Sequence, residues 1–232
     1  MKIAIMQPYF FPYIGYWHLM RAVDCFVVFD DVNFIQRGWI NRNRILVNGK
    51  PSLFTMPLDQ ASQNRRICDI TICSDVPWRE KLLKTVSNTY RRAPYYSSVI
   101  GLIENVISNQ EKNLSRFLCH QLHAIASYLG IDAGIKPTSR AYGNASLQGQ
   151  YRIIDICKKE KATVYLNPPG GKALYDPQLF KDSGLDLHFV TPLPVKYPQF
   201  VHEFVPWLSI IDVMMFNSQA AIVSLLDRYC LE

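Results

Sequence analysis

Short apolar runs and amphipathic stretches alternate along the N-terminal part of the chain. An apolar run at 2–6 precedes aromatic and aliphatic residues at helical spacing over 12–22, and a second apolar run follows at 25–29. Apolar runs of this length are typical of strands buried on both faces of a sheet. The order strand, helix, strand therefore predicts a βαβ unit, in which the two strands are parallel and the crossover is right-handed.

The next segment predicts a β-hairpin inserted into this pattern. Two strand-like runs at 44–47 and 52–56 flank Asn48-Gly49. This dipeptide suits a two-residue hairpin turn, because both residues tolerate a positive φ. A further strand is predicted at 67–72.

The middle of the chain has a helical pattern. Apolar residues recur at helical spacing in three segments separated by short polar breaks. The predicted helices cover 78–92, 95–108 and 114–129. Gly130 ends the last of them, since glycine commonly closes a helix in the left-handed conformation. We expect 77–130 to be a helical insertion or subdomain within a single α/β domain over 1–232.

Strand and helix patterns alternate again towards the C-terminus. The predicted strands cover 134–137, 163–166 and 186–190, and the predicted helices cover 147–159, 176–183 and 208–229. Ser209 and Asp212 have the spacing of a capping box at the start of the last helix. The whole pattern predicts an α/β fold, with a mostly parallel sheet and helices on both faces.

Composition indicates a folded protein with a substantial core. Of the 232 residues, 49% are hydrophobic and 19% are charged, which argues against disorder. No apolar run reaches the roughly 18 residues of a membrane span, and the N-terminus has no signal-peptide pattern. We therefore expect a cytoplasmic protein whose six cysteines are reduced and buried.

The net charge of +6 comes from dispersed basic residues, so a nucleic-acid partner is disfavoured. A phosphate-bearing small molecule accounts equally well for a few local arginines. His120 and His123 could share one helix face, but no further ligand stands at a matching spacing. We therefore predict no metal site, and the oligomeric state stays open.

Two acidic residues follow the second strand directly. Asp30 and Asp31 would lie at the carboxyl edge of the sheet, where open parallel sheets bind their ligands. One carboxylate could serve as a base or hold Mg²⁺ while the other caps the turn. The alternative is a solvated turn. His18 on the first helix is a further candidate acid or base, with a core histidine as its alternative.

Arginines and asparagines cluster after this strand. Arginine offers paired donors that match phosphate oxygens, and asparagine offers both a donor and an acceptor to sugar hydroxyls. The candidate binding residues are Asn33, Arg37, Asn41, Arg42 and Arg44. The segment predicts a diphosphate or nucleotide-sugar site, and an exposed basic loop is the alternative.

A second candidate anion site follows the strand at 163–166. Gly170 and Gly171 could present consecutive backbone N–H groups, and Lys172 could add a positive charge. Asn167 precedes them at the strand end. A tight loop without ligand is the alternative, because the P-loop pattern is absent.

Four blocks of the chain resemble the WbqC-like proteins. The blocks are Met6-Gln-Pro-Tyr-Phe-Phe-Pro-Tyr-Ile-Gly-Tyr16, the segment 30–44, the group Tyr165, Gly170-Gly171 and Tyr175, and Leu208-Ser-Ile-Ile-Asp212. The resemblance extends over nearly the whole chain. It implies a role in bacterial O-antigen or other surface-glycan synthesis.

The opening unit also resembles the HIGH-superfamily nucleotidyltransferases. Gln7 follows the first strand, and Tyr13-Ile-Gly-Tyr16 stands where that superfamily has H-x-G-H. Gly15 would let a phosphate approach the backbone at a helix N-terminus. Because Tyr13 and Tyr16 are neutral at pH 7, the resemblance supports nucleotide binding rather than direct adenylation by ATP.

Together these resemblances imply a transferase or ligase that modifies a nucleotide-linked amino sugar, with amide formation from an acyl or aminoacyl donor as the expected step. The alternatives are a nucleotidyltransferase-like enzyme and a non-catalytic nucleotide-sugar binding or scaffold protein. The residues fix no cofactor. ATP or another nucleotide with Mg²⁺ is the class they would accommodate.

Overall fold

A six-stranded sheet forms the centre of the protein, in a computed structural model that describes residues 1–200 and 203–232. The strands of the chain are β1 (Lys2–Met6), β2 (Cys25–Val28), β3 (Arg42–Val47), β4 (Lys50–Thr55), β5 (Leu58–Asp59), β6 (Thr71–Ile72), β7 (Gly134–Lys136), β8 (Val164–Asn167), β9 (Asp186–Pro192) and β10 (Tyr229–Leu231). The α-helices are α1 (Ile14–Arg21), α2 (Trp78–Tyr90), α3 (Tyr96–Ser108), α4 (Leu114–Leu129), α5 (Gly149–Lys159), α6 (Pro177–Asp182), α7 (Ile210–Phe216) and α8 (Gln219–Leu226).

The central sheet has the strand order β10-β9-β8-β1-β2-β7. All neighbouring strands are parallel except β10, which pairs antiparallel with β9. Strand β2 lies on one side of β1, and β8, which comes much later in the chain, lies on the other side. Loops that leave the carboxyl ends of such strands diverge and leave space for a ligand. The predicted α/β class with a mostly parallel sheet is confirmed.

Two separate cores cover the two faces of this sheet, because side chains alternate along each strand. Ile3 and Ile5 of β1 pack in one core with apolar residues of α5 and α6. Ala4 of β1 and Phe26 of β2 pack in the other, larger core with α1 and the helical middle region. The predicted placement of helices on both faces is confirmed.

The predicted hairpin and helical middle region are both present. Strands β3 and β4 pair antiparallel around Asn48 and Gly49, whose φ values of 50° and 75° are those of the predicted turn. Helices α2, α3 and α4 follow within the predicted region. Gly130 ends α4 at φ 66°, a left-handed conformation that glycine adopts without steric cost.

The predicted helix over 208–229 is wrong. Helix α7 ends at Phe216, Asn217 is extended, and the Ser218 hydroxyl oxygen caps α8 by accepting from the Ala221 amide at 3.1 Å. The chain then enters β10. The predicted strand at 67–72 is also only partly right, because Ile67–Asp69 forms a 3-10 turn before β6.

Candidate functional site

Two adjoining cavities lie among residues that follow β1 and β9. The first, the apolar cavity, has a volume of about 450 Å³ and is lined by Tyr13, Ile14, His18, Pro192, Leu193, Pro194, Val195, Lys196, Tyr197, Glu203, Phe204, Pro206, Trp207, Leu208 and Val213. The second, the arginine cleft, has a volume of about 280 Å³ and is lined by Tyr9, Pro12, Tyr13, Trp39, Asn43, Arg44 and Trp207. Tyr13 and Trp207 belong to both.

The arginine cleft combines aromatic walls with one cation. The Tyr13 and Trp207 rings lie 5.7 Å apart, and the Arg44 guanidinium lies 5.5 Å from the centre of the Trp39 ring. Arg44 Nη2 donates to the Trp207 carbonyl over a long 3.4 Å. Arg44 Nε is buried and has no hydrogen-bond partner among the described residues, and no ion pair within that part of the chain includes Arg44. The cleft therefore presents donors suited to an anion.

A strained loop contributes Tyr9, Pro12 and Tyr13 to the lining of this cleft. Phe11 is fully buried at φ 43°, a conformation that is costly for a bulky residue. Three side chains hold its backbone: Gln121 accepts from its amide at 2.9 Å, while Asn43 and Ser209 each donate to its carbonyl at 2.8 Å. Ser209 also caps α7, as the sequence predicts. Strain of this kind is stored most often at functional sites.

The Tyr13-Ile-Gly-Tyr16 motif contributes one residue to the cavities. Tyr13 lines both of them, whereas Tyr16 is buried and its hydroxyl donates to the Gln7 carbonyl at 3.0 Å. Burial raises the pKa of both tyrosines. Gly15 is buried and lines neither cavity, and a Cβ at that position would overlap the Tyr13 ring. Gly15 thus makes room for this aromatic side chain, and the approach of a phosphate to it stays a prediction.

His18 is both a core residue and a lining residue of the apolar cavity. Its side chain is fully buried, and Nε2 lies 3.0 Å from the Leu225 carbonyl oxygen. Because a carbonyl only accepts, Nε2 carries the proton and Nδ1 holds a lone pair. Nδ1 has no hydrogen-bond partner among the described residues. Burial lowers the pKa of His18, so the neutral ring can accept a proton or a hydrogen bond there.

A buried carboxylate holds the wall of the apolar cavity that contains Tyr197. Asp212 accepts from the hydroxyls of Tyr90 at 2.7 Å and Tyr197 at 2.8 Å, and from Gln199 Nε2 at 2.8 Å. Burial raises the pKa of Asp212. The predicted capping box is therefore wrong for this residue, since its oxygens bind side chains. Tyr197 lines the cavity, so Asp212 holds that wall against α7.

The predicted acidic pair is enclosed by hydrogen-bond donors. Asp30 Oδ1 accepts from the Thr138 hydroxyl at 2.7 Å and from the Ser139 amide at 3.1 Å, and Oδ2 accepts from the Ser115 hydroxyl at 2.6 Å. The Ser139 hydroxyl also donates to Asp31. Both carboxylates are buried. The solvated turn is therefore excluded, and the pair links the carboxyl end of β2 to the loop after β7 and to α4.

Asp31 is also half of a buried ion pair. Its Oδ2 accepts from Arg152 Nη2 on α5, and the two side chains are only 3% and 6% exposed. Arg152 Nε donates to the Asn144 side chain at 3.0 Å, and its guanidinium lies 4.9 Å from the centre of the Phe29 ring. The network holds α5 against the carboxyl end of β2.

Comparison with known proteins identifies the family. The model of the WbqC-like protein family matches residues 7–224. The chain belongs to this family. It is also 27% identical over 231 residues to a Mycobacterium tuberculosis protein named uncharacterized protein Rv1507c, with 99% of this chain and 98% of that one covered. No solved structure matches. Every residue that lines the two cavities of this WbqC-like protein lies inside the matched region.

Of the three predicted arginines of this WbqC-like protein, only Arg44 is among the residues that line the arginine cleft. Arg44 lines the cleft, but Arg42 folds back on its own loop, where Nε donates to the Gly38 carbonyl at 3.0 Å and Nη2 donates to the Arg37 carbonyl. Arg37 is exposed at φ 60°. Residues 37–42 thus form a turn that is held by its own hydrogen bonds. Arg44 is the arginine that lines the cleft.

The predicted asparagines also lie outside the cavities. Asn33 is exposed and forms a short bridge with Arg66, while the Asn41 side chain donates to the Met56 carbonyl at 2.8 Å. Asn43, which belongs to the predicted segment but was not named as a candidate binding residue, lines the cleft. Sequence reasoning also missed Tyr9, Trp39 and the segment 192–208. The signal available in the segment 192–208 was its high content of proline and aromatic residues. One of these residues, Trp207, is 63% exposed in the structure.

The glycine loop after β8 is not among the lining residues of either cavity. The Asn167 side chain occupies the space where Gly171 would carry a Cβ, and Gly170 faces open space. Lys172 donates to the Glu232 carboxylate and lies 5.7 Å from the centre of the Phe189 ring. The loop therefore remains a separate predicted anion site.

Within residues 1–200 and 203–232, no group of three or more His, Cys, Asp or Glu side chains is placed to hold a metal ion. His120 is half-buried and His123 is exposed. All six cysteines are unpaired. In the same part of the chain, no helix combines the length and apolar character needed to cross a membrane.

Proposed function

We propose that this WbqC-like protein is a transferase or ligase that modifies a nucleotide-linked amino sugar during assembly of O-antigen or another surface polysaccharide. The arginine cleft binds the phosphate-bearing part of that substrate. The observation that carries this proposal is Arg44, a cation at the wall of an aromatic cleft whose buried Nε has no hydrogen-bond partner among the described residues.

The chemistry of the cleft favours a phosphate ester joined to a ring. A guanidinium offers several donors in one plane, which match phosphate oxygens better than an ammonium does. Among the described residues, the Arg44 guanidinium makes one long hydrogen bond, to the Trp207 carbonyl, so its other donors remain for a ligand. The aromatic walls supply flat surfaces for a sugar or a base. Asn43 and Ser209 bond the peptide groups beside Arg44, which holds its backbone in place.

The expected reaction is amide formation on the sugar amine by an acyl or aminoacyl donor. Of the three predicted catalytic side chains, His18 is favoured as the acid or base, because its Nδ1 lone pair has no described partner and it lines the adjoining cavity. The Asp30 and Asp31 oxygens already accept hydrogen bonds. We propose that they act by supporting the site.

A titration tests the binding step. Calorimetry with UDP-linked and dTDP-linked amino sugars, with UDP, and with inorganic phosphate should show binding of at least one nucleotide. Arg44→Ala should weaken it by about 1.5–3 kcal/mol, the range for a hydrogen bond to a charged group. Arg92→Ala is the matched control, because it removes the same charge from an exposed surface position. No heat with any of the nucleotides would refute the proposal.

Product analysis separates the enzyme classes. Mass spectrometry of an amino-sugar nucleotide incubated with acyl thioesters, or with carboxylic acids plus ATP and Mg²⁺, should reveal an amide product. Release of pyrophosphate from a sugar phosphate and a nucleoside triphosphate would instead identify a nucleotidyltransferase. Binding without turnover in either assay would identify a scaffold or binding protein.

A further inference from the structure

We propose that the apolar cavity is a binding site for a small, neutral and largely apolar molecule that carries one N–H or O–H donor, and that this donor bonds His18 Nδ1. The apolar cavity shares Tyr13 and Trp207 with the arginine cleft, but the inference does not depend on a nucleotide substrate. The volume of about 450 Å³ falls within the range of small-molecule sites.

The walls of this cavity are mostly aliphatic and aromatic. Ile14 and Val213 line it from α1 and α7, and Pro194, Pro206 and Leu208 line it from the segment between β9 and α7. The charged residues Lys196 and Glu203 are both exposed and opposite in sign. A ligand therefore gains mainly from burial of apolar surface, and the interior provides little to offset the cost of burying a charge.

His18 gives the cavity its polar specificity. Buried polar atoms in folded proteins nearly always have a hydrogen-bond partner, and His18 Nδ1 has none within residues 1–200 and 203–232, which requires an explanation. The bond from Nε2–H to Leu225 fixes the tautomer and leaves Nδ1 as an acceptor. A ligand with a donor satisfies this atom, whereas a ligand of the same shape that only accepts does not.

The wall that contains Tyr197 is held in place by hydrogen bonds within the protein. The Tyr197 hydroxyl donates to Asp212, and Gln199 bonds both Asp212 and the Val205 backbone. These bonds tie the segment to α7 from two positions. A pocket held in this way loses less conformational entropy when it binds a ligand.

Cyclohexanol and cyclohexanone are suitable probes, because they have nearly the same shape and only the alcohol has a donor. Neither ring is aromatic, which limits stacking on the tryptophans of the arginine cleft. In the unmodified protein, cyclohexanol should bind roughly 2- to 10-fold more tightly, the ratio that one net hydrogen bond provides. In ¹⁵N-histidine NMR spectra, the Nδ1 resonance of His18 should shift with cyclohexanol and much less with cyclohexanone.

Two variants complete the test. His18→Phe should bind both probes with equal affinity, because the apolar walls remain and the acceptor is gone. Val213→Phe should weaken both probes by filling the cavity. The comparison of the two probes needs no variant, so it stands even where a substituted chain fails to fold. The proposal would be overturned if the unmodified protein bound the two probes equally well or bound neither. It would also be overturned if His18→Phe still preferred cyclohexanol.

Discussion

Removal of Arg152 tests whether the acidic pair after β2 is structural. Arg152→Met keeps an unbranched, apolar stem but removes the guanidinium, and it leaves the Asp31 carboxylate, only 3% exposed, without its positive partner. Breaking a buried ion pair from one side typically costs about 3–5 kcal/mol. Burial is nearly complete on both sides, so solvent screening reduces this value little. The contact with the Phe29 ring, at 4.9 Å, is lost as well.

Urea unfolding, followed by circular dichroism and tryptophan fluorescence, measures this loss. The matched control is Arg116→Met, which breaks an ion pair to Glu111 whose arginine is 74% exposed, and should cost less than about 1 kcal/mol. The double variant Asp31→Leu/Arg152→Met should be more stable than Arg152→Met alone, because no unpaired charge stays buried. Equal, small losses for Arg152→Met and Arg116→Met would refute the structural role and return Asp31 to the list of catalytic candidates.

Three further measurements follow from the structure. Gly15→Ala should displace the Tyr13 ring, which should lower the free energy of unfolding by about 1–3 kcal/mol and weaken nucleotide binding in a titration. An unchanged free energy of unfolding and an unchanged affinity would contradict this packing. Because burial raises the pKa of Asp212, its contribution to stability is present below the ordinary carboxyl range and is lost as pH rises through the folded-state pKa. Relative to Asp212→Asn, the urea midpoint of the wild type should therefore fall from about pH 4 upward, and a rise would show the opposite shift. Titration with a thiol reagent should modify the half-buried Cys73 and Cys230 first and four buried cysteines only after unfolding, giving six thiols in all; fewer would indicate a disulfide.

Local patterns in the sequence predicted most of the secondary structure. Asn48-Gly49 identified the hairpin because its turn geometry depends on those two residues alone. The prediction of one helix over 208–229 was wrong, because the apolar pattern alone does not show where one helix ends and the next begins. Its apolar residues continue past Asn217, but Ser218 starts a new helix, and β10 leaves the helical path to pair with β9.

The candidate site was less predictable, because it depends on contacts between distant parts of the chain. The arginines at 42 and 44 look equivalent in the sequence, but the guanidinium of Arg42 bonds its own loop. The sequence also does not reveal that Ser115 donates to Asp30, 85 positions away. Nor does it reveal that Arg152 donates to Asp31, 121 positions away. The segment 192–208 has no helical or alternating pattern, so no periodicity identified it as a cavity wall.

The strained Phe11 links the shape of the cleft to the order in which the protein folds. Its backbone is held by Asn43, Gln121 and Ser209, which are 32, 110 and 198 positions away along the chain. Loops that close over such distances form late, and the left-handed backbone is unfavourable until all three partners have docked. A partly folded chain can thus contain its hairpin and helices yet lack a formed cleft. Ligand binding at the arginine cleft would therefore report completion of the whole fold.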